Sequence, residues 1–433
     1  MKEMIFEIDK DIWFDADKLF VINGRDHYES YKRGRENYPY PEKHSKKQGF
    51  PSIVFLSSVS CNLKCQYCYA GQGSYNKVSS KVSFEFEDYV EAYDQIAKEY
   101  GGVDRIGFFG GEPLLNFKTI KRFVEYLYDH VEPSSLTNKI GINSNGTIIN
   151  KEIKDFLLRY SITFGTSLDG PKVFNDVCRF GDSVTSVYDT VINTIKYLGN
   201  EGVSTALQFT LSRPHVENYQ PGDIAKWVSV LESLPLAYYE IIPVTTEDPA
   251  CKIDLRDEKI KENFALLCTE LADHCLASFI SGETAIMPGF CHSIFLSIAK
   301  RKIAGQCGAG KSMITISPDL RVYPCHVNAS TRENSVPCDN RLRQHILNNL
   351  EFGFMRNTNR EGVQVCNQCI AKKVCHVFCK GLCSREPVKP PYERCFMMEI
   401  FIKRVVLFMI KKYPQHKDRI KESIININKR HKI

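Results

Sequence analysis

From residue 53 to residue 243 the chain alternates short apolar runs with stretches whose apolar positions recur at helical spacing. Ile53-Val54-Phe55-Leu56 reads as a buried strand. Phe86, Tyr89, Tyr93, Ile96 and Tyr100 then share one helix face, and Arg105-Ile106-Gly107-Phe108-Phe109 is the next strand. Phe117, Ile120, Phe123 and Leu127 predict a second helix, followed by the strand Lys139-Ile140-Gly141-Ile142. The cycle continues with a helix near 150–159, a strand at 162–168, a helix at 186–198, a strand at 203–211, a helix at 222–232 and a strand at 237–243. Six strands with intervening helices imply right-handed parallel crossovers, hence an α/β fold. Chemistry-bearing residues follow the C-terminal ends of several strands, which favours a partial (β/α)6 TIM-like barrel over a doubly wound sheet.

The flanks behave differently. Met4-Ile5-Phe6-Glu7-Ile8 and Leu19-Phe20-Val21-Ile22 predict two short strands with a hairpin-like turn at Asn23-Gly24, and residues 33–51 read as a polar, Pro-punctuated linker. After a helix at about 258–280, residues 300–398 are loop-rich and hold nine cysteines. Such a segment builds little core of its own and needs metal staples. A final amphipathic helix is predicted at 396–411, broken near Pro414. Four parts result: 1–50, 51–285, 286–398 and 399–433.

Composition narrows the function classes. In 433 residues, 43% are hydrophobic and 25% charged, enough for two or three folded domains. No uninterrupted apolar run approaches the ~20 residues of a membrane span, and Met1-Lys2-Glu3-Met4 lacks a signal-peptide layout. A cytoplasmic, non-membrane protein is expected. The net charge of +6 comes from one tail: residues 403–433 hold ten Lys/Arg and two acids, leaving the rest slightly acidic. That pattern suits a solvated helix face, not a nucleic-acid groove. Seventeen cysteines in a reducing compartment point to metal binding or redox chemistry.

Cys61, Cys65 and Cys68 are spaced C-x3-C-x2-C in a loop after the first barrel strand. Three soft thiolates hold three corners of an iron–sulfur cube and leave the fourth iron open to a small molecule. A zinc site would want a fourth ligand, and His44 and His130 lack the spacing. With Tyr67 before the last cysteine, this segment resembles the signature of the radical S-adenosylmethionine (SAM) superfamily. Gly110-Gly111-Glu112-Pro113 follows the second strand, where that family has its Gly-Gly-Glu-Pro turn. The resemblance implies that its backbone and Glu112 receive the amino group of the methionine moiety. Ser167-Leu168-Asp169-Gly170-Pro171 with Arg179 resembles a segment of peptide-modifying members, so Ser167 and Arg179 are expected at the cofactor, the arginine at its carboxylate. Asn175-Asp176 departs from a usual His-Asp. Asn143-Ser144-Asn145-Gly146 falls at a usual ribose-binding turn and reads equally well as a plain strand-to-helix turn. The implied chemistry is reductive cleavage of the sulfonium and hydrogen abstraction by a 5′-deoxyadenosyl radical.

Cys366, Cys369, Cys375, Cys379 and Cys395, with Cys307 and Cys325 upstream, resemble the SPASM extension of enzymes that modify peptides and proteins. It implies two auxiliary 4Fe–4S clusters beside the radical SAM 4Fe–4S cluster: an outer one on Cys366, Cys369, Cys375 and Cys395, and an inner one on Cys307, Cys325 and Cys379. The inner fourth ligand is Cys291, Cys338 or a substrate thiolate; a pair of zinc sites is the competing reading. Leu320 stands where a glycine is usual, and Cys383 reads as a spectator.

Two enzyme readings follow from the resemblance: a maturase of a ribosomally made peptide that forms a thioether or other crosslink, and a sulfatase-maturing enzyme that makes formylglycine. The latter carries an aspartate after the cysteine matching Cys325. Here it is His326, a candidate proton acceptor. A metal-stabilised interaction module is the non-enzyme alternative. Expected partners are a peptide or protein substrate and a low-potential electron donor such as flavodoxin or ferredoxin, for which the basic tail is a docking candidate. Leader binding falls to a separate protein, to the strands at 4–22 or to the barrel.

Overall fold

The computed structural model describes residues 3–42, 51–77, 79–132, 139–281, 289–304, 307–329, 334–357, 363–375, 377–385 and 388–430. The expected boundary at 285/286 and residues 43–50 of the expected linker lie outside the described residues.

At the start, Ile5–Asp9 (β1), Ile12–Asp15 (β2) and Phe20–Asn23 (β3) form an antiparallel sheet. The helix Arg25–Arg33 follows, between the expected turn at Asn23-Gly24 and the expected linker from residue 33, where the sequence reading has no helix. Its signal is weak because it buries only Tyr31. That tyrosine donates to Asp15 (2.9 Å), which Arg35 also grips (2.5 Å).

The barrel strands are Ser52–Ser58 (β4), Arg105–Gly110 (β5), Ile140–Asn143 (β6), Thr163–Ser167 (β7), Thr205–Leu211 (β8) and Tyr238–Pro243 (β9). They are parallel and lie in chain order in the sheet, within two residues of the sequence expectation. The crossover helices include Phe86–Tyr100, Phe117–His130, Lys151–Arg159, Val187–Asn200 and Asp223–Glu232. Each lays its apolar stripe on the outward-pointing strand residues. Phe55 and Phe108 meet Tyr89 and Phe123 in edge-on contacts with centroids 5.0–6.3 Å apart.

The cysteine-rich segment shares this sheet. Met313–Ile316 (β10) pairs in parallel with β4, and Arg321–Tyr323 (β11) and Val336–Pro337 (β12) extend it antiparallel, giving nine strands. The open edge of β4 is thereby covered. The turn between β10 and β11 keeps the left-handed conformation at Leu320 (φ 56°), a strain of about 1 kcal/mol or more for a leucine. Its side chain packs against the core beneath.

Glu258–Ser281 is long and apolar enough to cross a bilayer by length and composition, although no single run in it is unbroken. Half of its most apolar window is buried, and its Phe264 stacks with Phe396 of the helix Tyr392–Lys411. A further helix, Tyr413–Arg430, starts at the expected break. Pro414 sits in its first turn, where a missing N–H costs nothing. Ile420 is fully buried, and Ser423 Oγ donates to the Phe279 carbonyl (3.1 Å). The tail is therefore packed on one face and basic on the other.

Candidate active site

The loop carrying Cys61, Cys65 and Cys68 is clamped from two sides. Gly111 N–H donates to the Ser58 carbonyl and Glu112 N–H to the Ser60 carbonyl, both at 2.8 Å. Lys64 and Gln66 N–H donate to the carbonyls of Phe180 and Cys178 (2.7 and 2.9 Å), tying the loop to the segment that holds Arg179. A Cβ on Gly110 or Gly111 would run into the carbonyl oxygens of Ser58 or Ser60. Glycine is needed here first for backbone-on-backbone packing. Burial, the Glu112 charge and the Cys65 thiol together push Cys61 up to about 11, although Leu63 N–H and Asn145 Nδ2 donate toward its sulfur.

Glu112 is fully buried. Its carboxylate accepts from Leu114 N (3.0 Å), Ser144 Oγ (2.8 Å) and Asn145 N (2.7 Å). Burial nevertheless raises it to about 7 against these hydrogen bonds and the Arg179 charge. Ser144 and Asn145 belong to the turn after β6. That turn braces the site from both ends, since Asn145 also reaches Asn62 in the cysteine loop (2.8 Å).

Pro113 opens the 3₁₀ turn after Glu112 and is buried. Ser167 ends β7, in register with Gln208 of β8. Arg179 is 6% exposed, and its Nη1 donates to Tyr67 Oη (3.0 Å). Tyr67 in turn donates to Asp169, which also accepts from Thr210 N (3.1 Å). Burial opposes the Arg179 charge, yet Tyr67, Cys65 and Asp169 hold its pKa well above the usual value. Its Nε is buried with no partner. Asp169 was legible only as part of a motif; its role as anchor needs the fold. Asn175, the departure noted in the sequence, accepts from Asp169 N (2.9 Å), and His215 Nε2 donates to the Asp169 carbonyl (2.9 Å).

The second constellation assembles as two sets. Cys366, Cys369, Cys375 and Cys395 line one pocket with Arg394 and Met398. Burial pushes Cys395 up first, followed by the Cys375, Cys369 and Cys366 thiols. Cys325 is raised to about 12 by burial and, beyond that, by Cys379 and Cys307. Neither sequence candidate for the inner fourth ligand stands with these thiols. Cys291 is fully buried beside Cys275 under the barrel, and the charged neighbours of Cys338 are Glu91 and Asp339. Cys383 lies between the sets, with Cys379, Cys366 and Cys375 as neighbours, so it does not stand apart. His326 stacks on Phe109 of β5 (centroids 4.6 Å, 13°), and burial lowers it to about 4.

Among the described residues, no three His, Cys, Asp or Glu side chains stand close enough around one point to hold a single metal ion. An all-thiol set around a pocket, as at Cys366, Cys369, Cys375 and Cys395, suits a polynuclear iron–sulfur group, in which separate irons each take a thiolate, better than one zinc. The unpartnered Arg179 Nε and the buried Glu112 suit the carboxylate and ammonium of an amino-acid moiety.

A partial barrel with a three-cysteine loop at its mouth is the architecture of a radical SAM domain. The radical SAM superfamily model matches residues 56–228, so this part of the chain is a radical SAM domain. The serine-type anaerobic sulfatase-maturating enzyme of Klebsiella aerogenes is 24% identical over 338 residues, 74% of this chain and 77% of that enzyme. The radical SAM cyclopropyl synthase TigE of Paramaledivibacter caminithermalis is 28% identical over 194 residues, 42% of this chain and 39% of that enzyme. The chain spans less than half the length of several curated relatives it matches (39–47%). The structure of anSMEcpe with bound AdoMet shares the fold at a TM-score of 0.67 and 16% identity, covering 88% of this chain and 99% of that one.

Proposed function

We propose that this chain is a radical SAM peptide maturase that abstracts hydrogen from a ribosomally synthesised peptide and leaves a thioether or other crosslink in it. The observation that carries the radical step is the buried Arg179, whose Nε awaits an acceptor at the barrel mouth. Cys61, Cys65 and Cys68 would hold the cluster, and the Gly110-Gly111 backbone, Glu112, Ser167 and Arg179 would hold SAM. When bound, the two supply reductive cleavage of a carbon–sulfur bond and the 5′-deoxyadenosyl radical that takes hydrogen from substrate. The protein's own part is orientation. Asp169 and Tyr67 fix the guanidinium, Ser144 and Asn145 fix the carboxylate, and both are set before ligand arrives. Tyr67 acts through Arg179 in this reading.

The segment with the second constellation is read as a SPASM-type domain holding two auxiliary 4Fe–4S clusters. His326 stands beside it as the proton acceptor: a neutral imidazole stacked on Phe109, in the position where sulfatase-maturing enzymes carry an aspartate. Sulfatase maturation is the second reading, favoured by the alignment to the Klebsiella aerogenes enzyme along 74% of the chain. The decisive experiment gives the anaerobically reconstituted enzyme SAM, a reductant and a Cys-containing peptide encoded beside it. Deoxyadenosine and a peptide lighter by two hydrogens are expected. An unchanged peptide, with a sulfatase-type peptide converted to formylglycine, overturns the choice.

A further inference from the structure

Lys380 is 3% exposed, in a loop otherwise devoted to thiols. Its Nζ donates to the Met355 carbonyl. Met355 packs with Cys325 and Ala309, and Cys307 lies against the same cluster. The turn Lys380–Leu382 is held in place by close packing on His326–Asn328: a Cβ on Gly381 would come within 3.0 Å of Val327. Among the described residues, the groups that act most on the ammonium are the thiols of Cys307 and Cys325 and the ammonium of Lys311.

An ammonium taken out of water without a counter-charge is strongly unfavourable, and one backbone carbonyl does not offset it. Among the described residues, the groups named beside it that can become anionic are the inner thiols. We propose that Lys380 is the resident counter-ion of the group held by Cys307, Cys325 and Cys379, and that it raises the reduction potential of that group. The inference rests on the reading that these thiols bind an iron–sulfur cluster. Adding an electron makes such a cluster more negative, and a fixed cation in a poorly solvated site favours the reduced state over the oxidised one. Lys380 is a positioning residue for charge, since it holds no iron itself.

The test is potentiometry followed by electron paramagnetic resonance on reconstituted full-length protein, with iron and sulfide counted. The inner signal is the one missing from Cys325→Ala. Lys380→Met is expected to keep its iron and to lower the midpoint of that signal alone by at least tenfold in the reduction equilibrium, about 59 mV for a one-electron couple. Lys380→Arg is expected to hold the midpoint within that margin. If Lys380→Met instead sheds the inner iron while Lys380→Arg keeps both iron and midpoint, the charge is again the cause. An unmoved midpoint in Lys380→Met overturns the inference, as does equal loss of iron from both variants. Wild-type protein with no iron beyond the first cluster would sink the cluster reading and the inference together.

Discussion

The barrel mouth and the cysteine-rich segment answer the cost of buried charge in opposite ways. At the mouth, protein groups complete each other: Glu112 accepts three hydrogen bonds, and Arg179, Tyr67 and Asp169 form a chain that ends in a backbone amide. In the cysteine-rich segment, burial raises the thiols of Cys325, Cys383 and Cys395, and neighbouring thiols push them further in the same direction. The first site is organised before its ligand arrives. The second keeps its thiols protonated, and bound metal would take the place of those protons.

The contrast can be broken or sharpened by experiment. Cys61→Ala has the largest expected effect: deoxyadenosine production stops and the reduced protein shows no spectral response to SAM, because one corner of the first cluster is gone. Deoxyadenosine formation surviving at wild-type rate would end the enzymatic account. Next, removing iron with a chelator is expected to strip hydrogen-exchange protection from residues 363–395 while β5–β9 keep theirs, since metal supplies folding energy only where the core is thin. Uniform loss across the barrel would show that the two regions stand or fall as one unit.

Arg179→Lys keeps the charge and loses the planar donor fork. SAM binding is expected to weaken by about 1.5–3 kcal/mol, roughly 10- to 150-fold, in equilibrium dialysis. An unchanged affinity would remove the carboxylate from that position. The smallest effect concerns pH. Glu112 titrates near 7 instead of 4.5, so the folded protein holds its proton more tightly than the unfolded chain. Its contribution to stability is full below about pH 4.5 and is lost as pH rises toward 7, a difference of about 3 kcal/mol for ligand-free protein. SAM, whose ammonium favours the ionised form, should bind up to about fivefold more tightly at pH 7 than at pH 6. Glu112→Gln should flatten that slope in calorimetric titrations.

Much of this was readable in the residues. Apolar periodicity located the six barrel strands and their helices, because each element packs one face on one core. The cysteine spacings and the Gly-Gly-Glu-Pro turn marked the mouth, since they lie on single loops. What escaped were features with little local signal: the helix Arg25–Arg33, with one buried side chain, and the helix after Pro414, where proline starts rather than ends the element. The candidates Cys291 and Cys338 failed for a related reason. Counting cysteines says nothing about which side of a sheet they face.

The amino-acid order by itself determined the α/β class, the strand-by-strand course of the barrel and its radical SAM signature. Each of these is written in spacings of a few residues. Only the tertiary structure decided that three strands of the cysteine-rich segment complete the barrel's sheet, that Asp169 and Tyr67 hold Arg179, and that Lys380 lies buried among the inner thiols. Those contacts join residues far apart in the chain. Their energies come from burial and from charges placed at close range, and neither exists until the chain has folded.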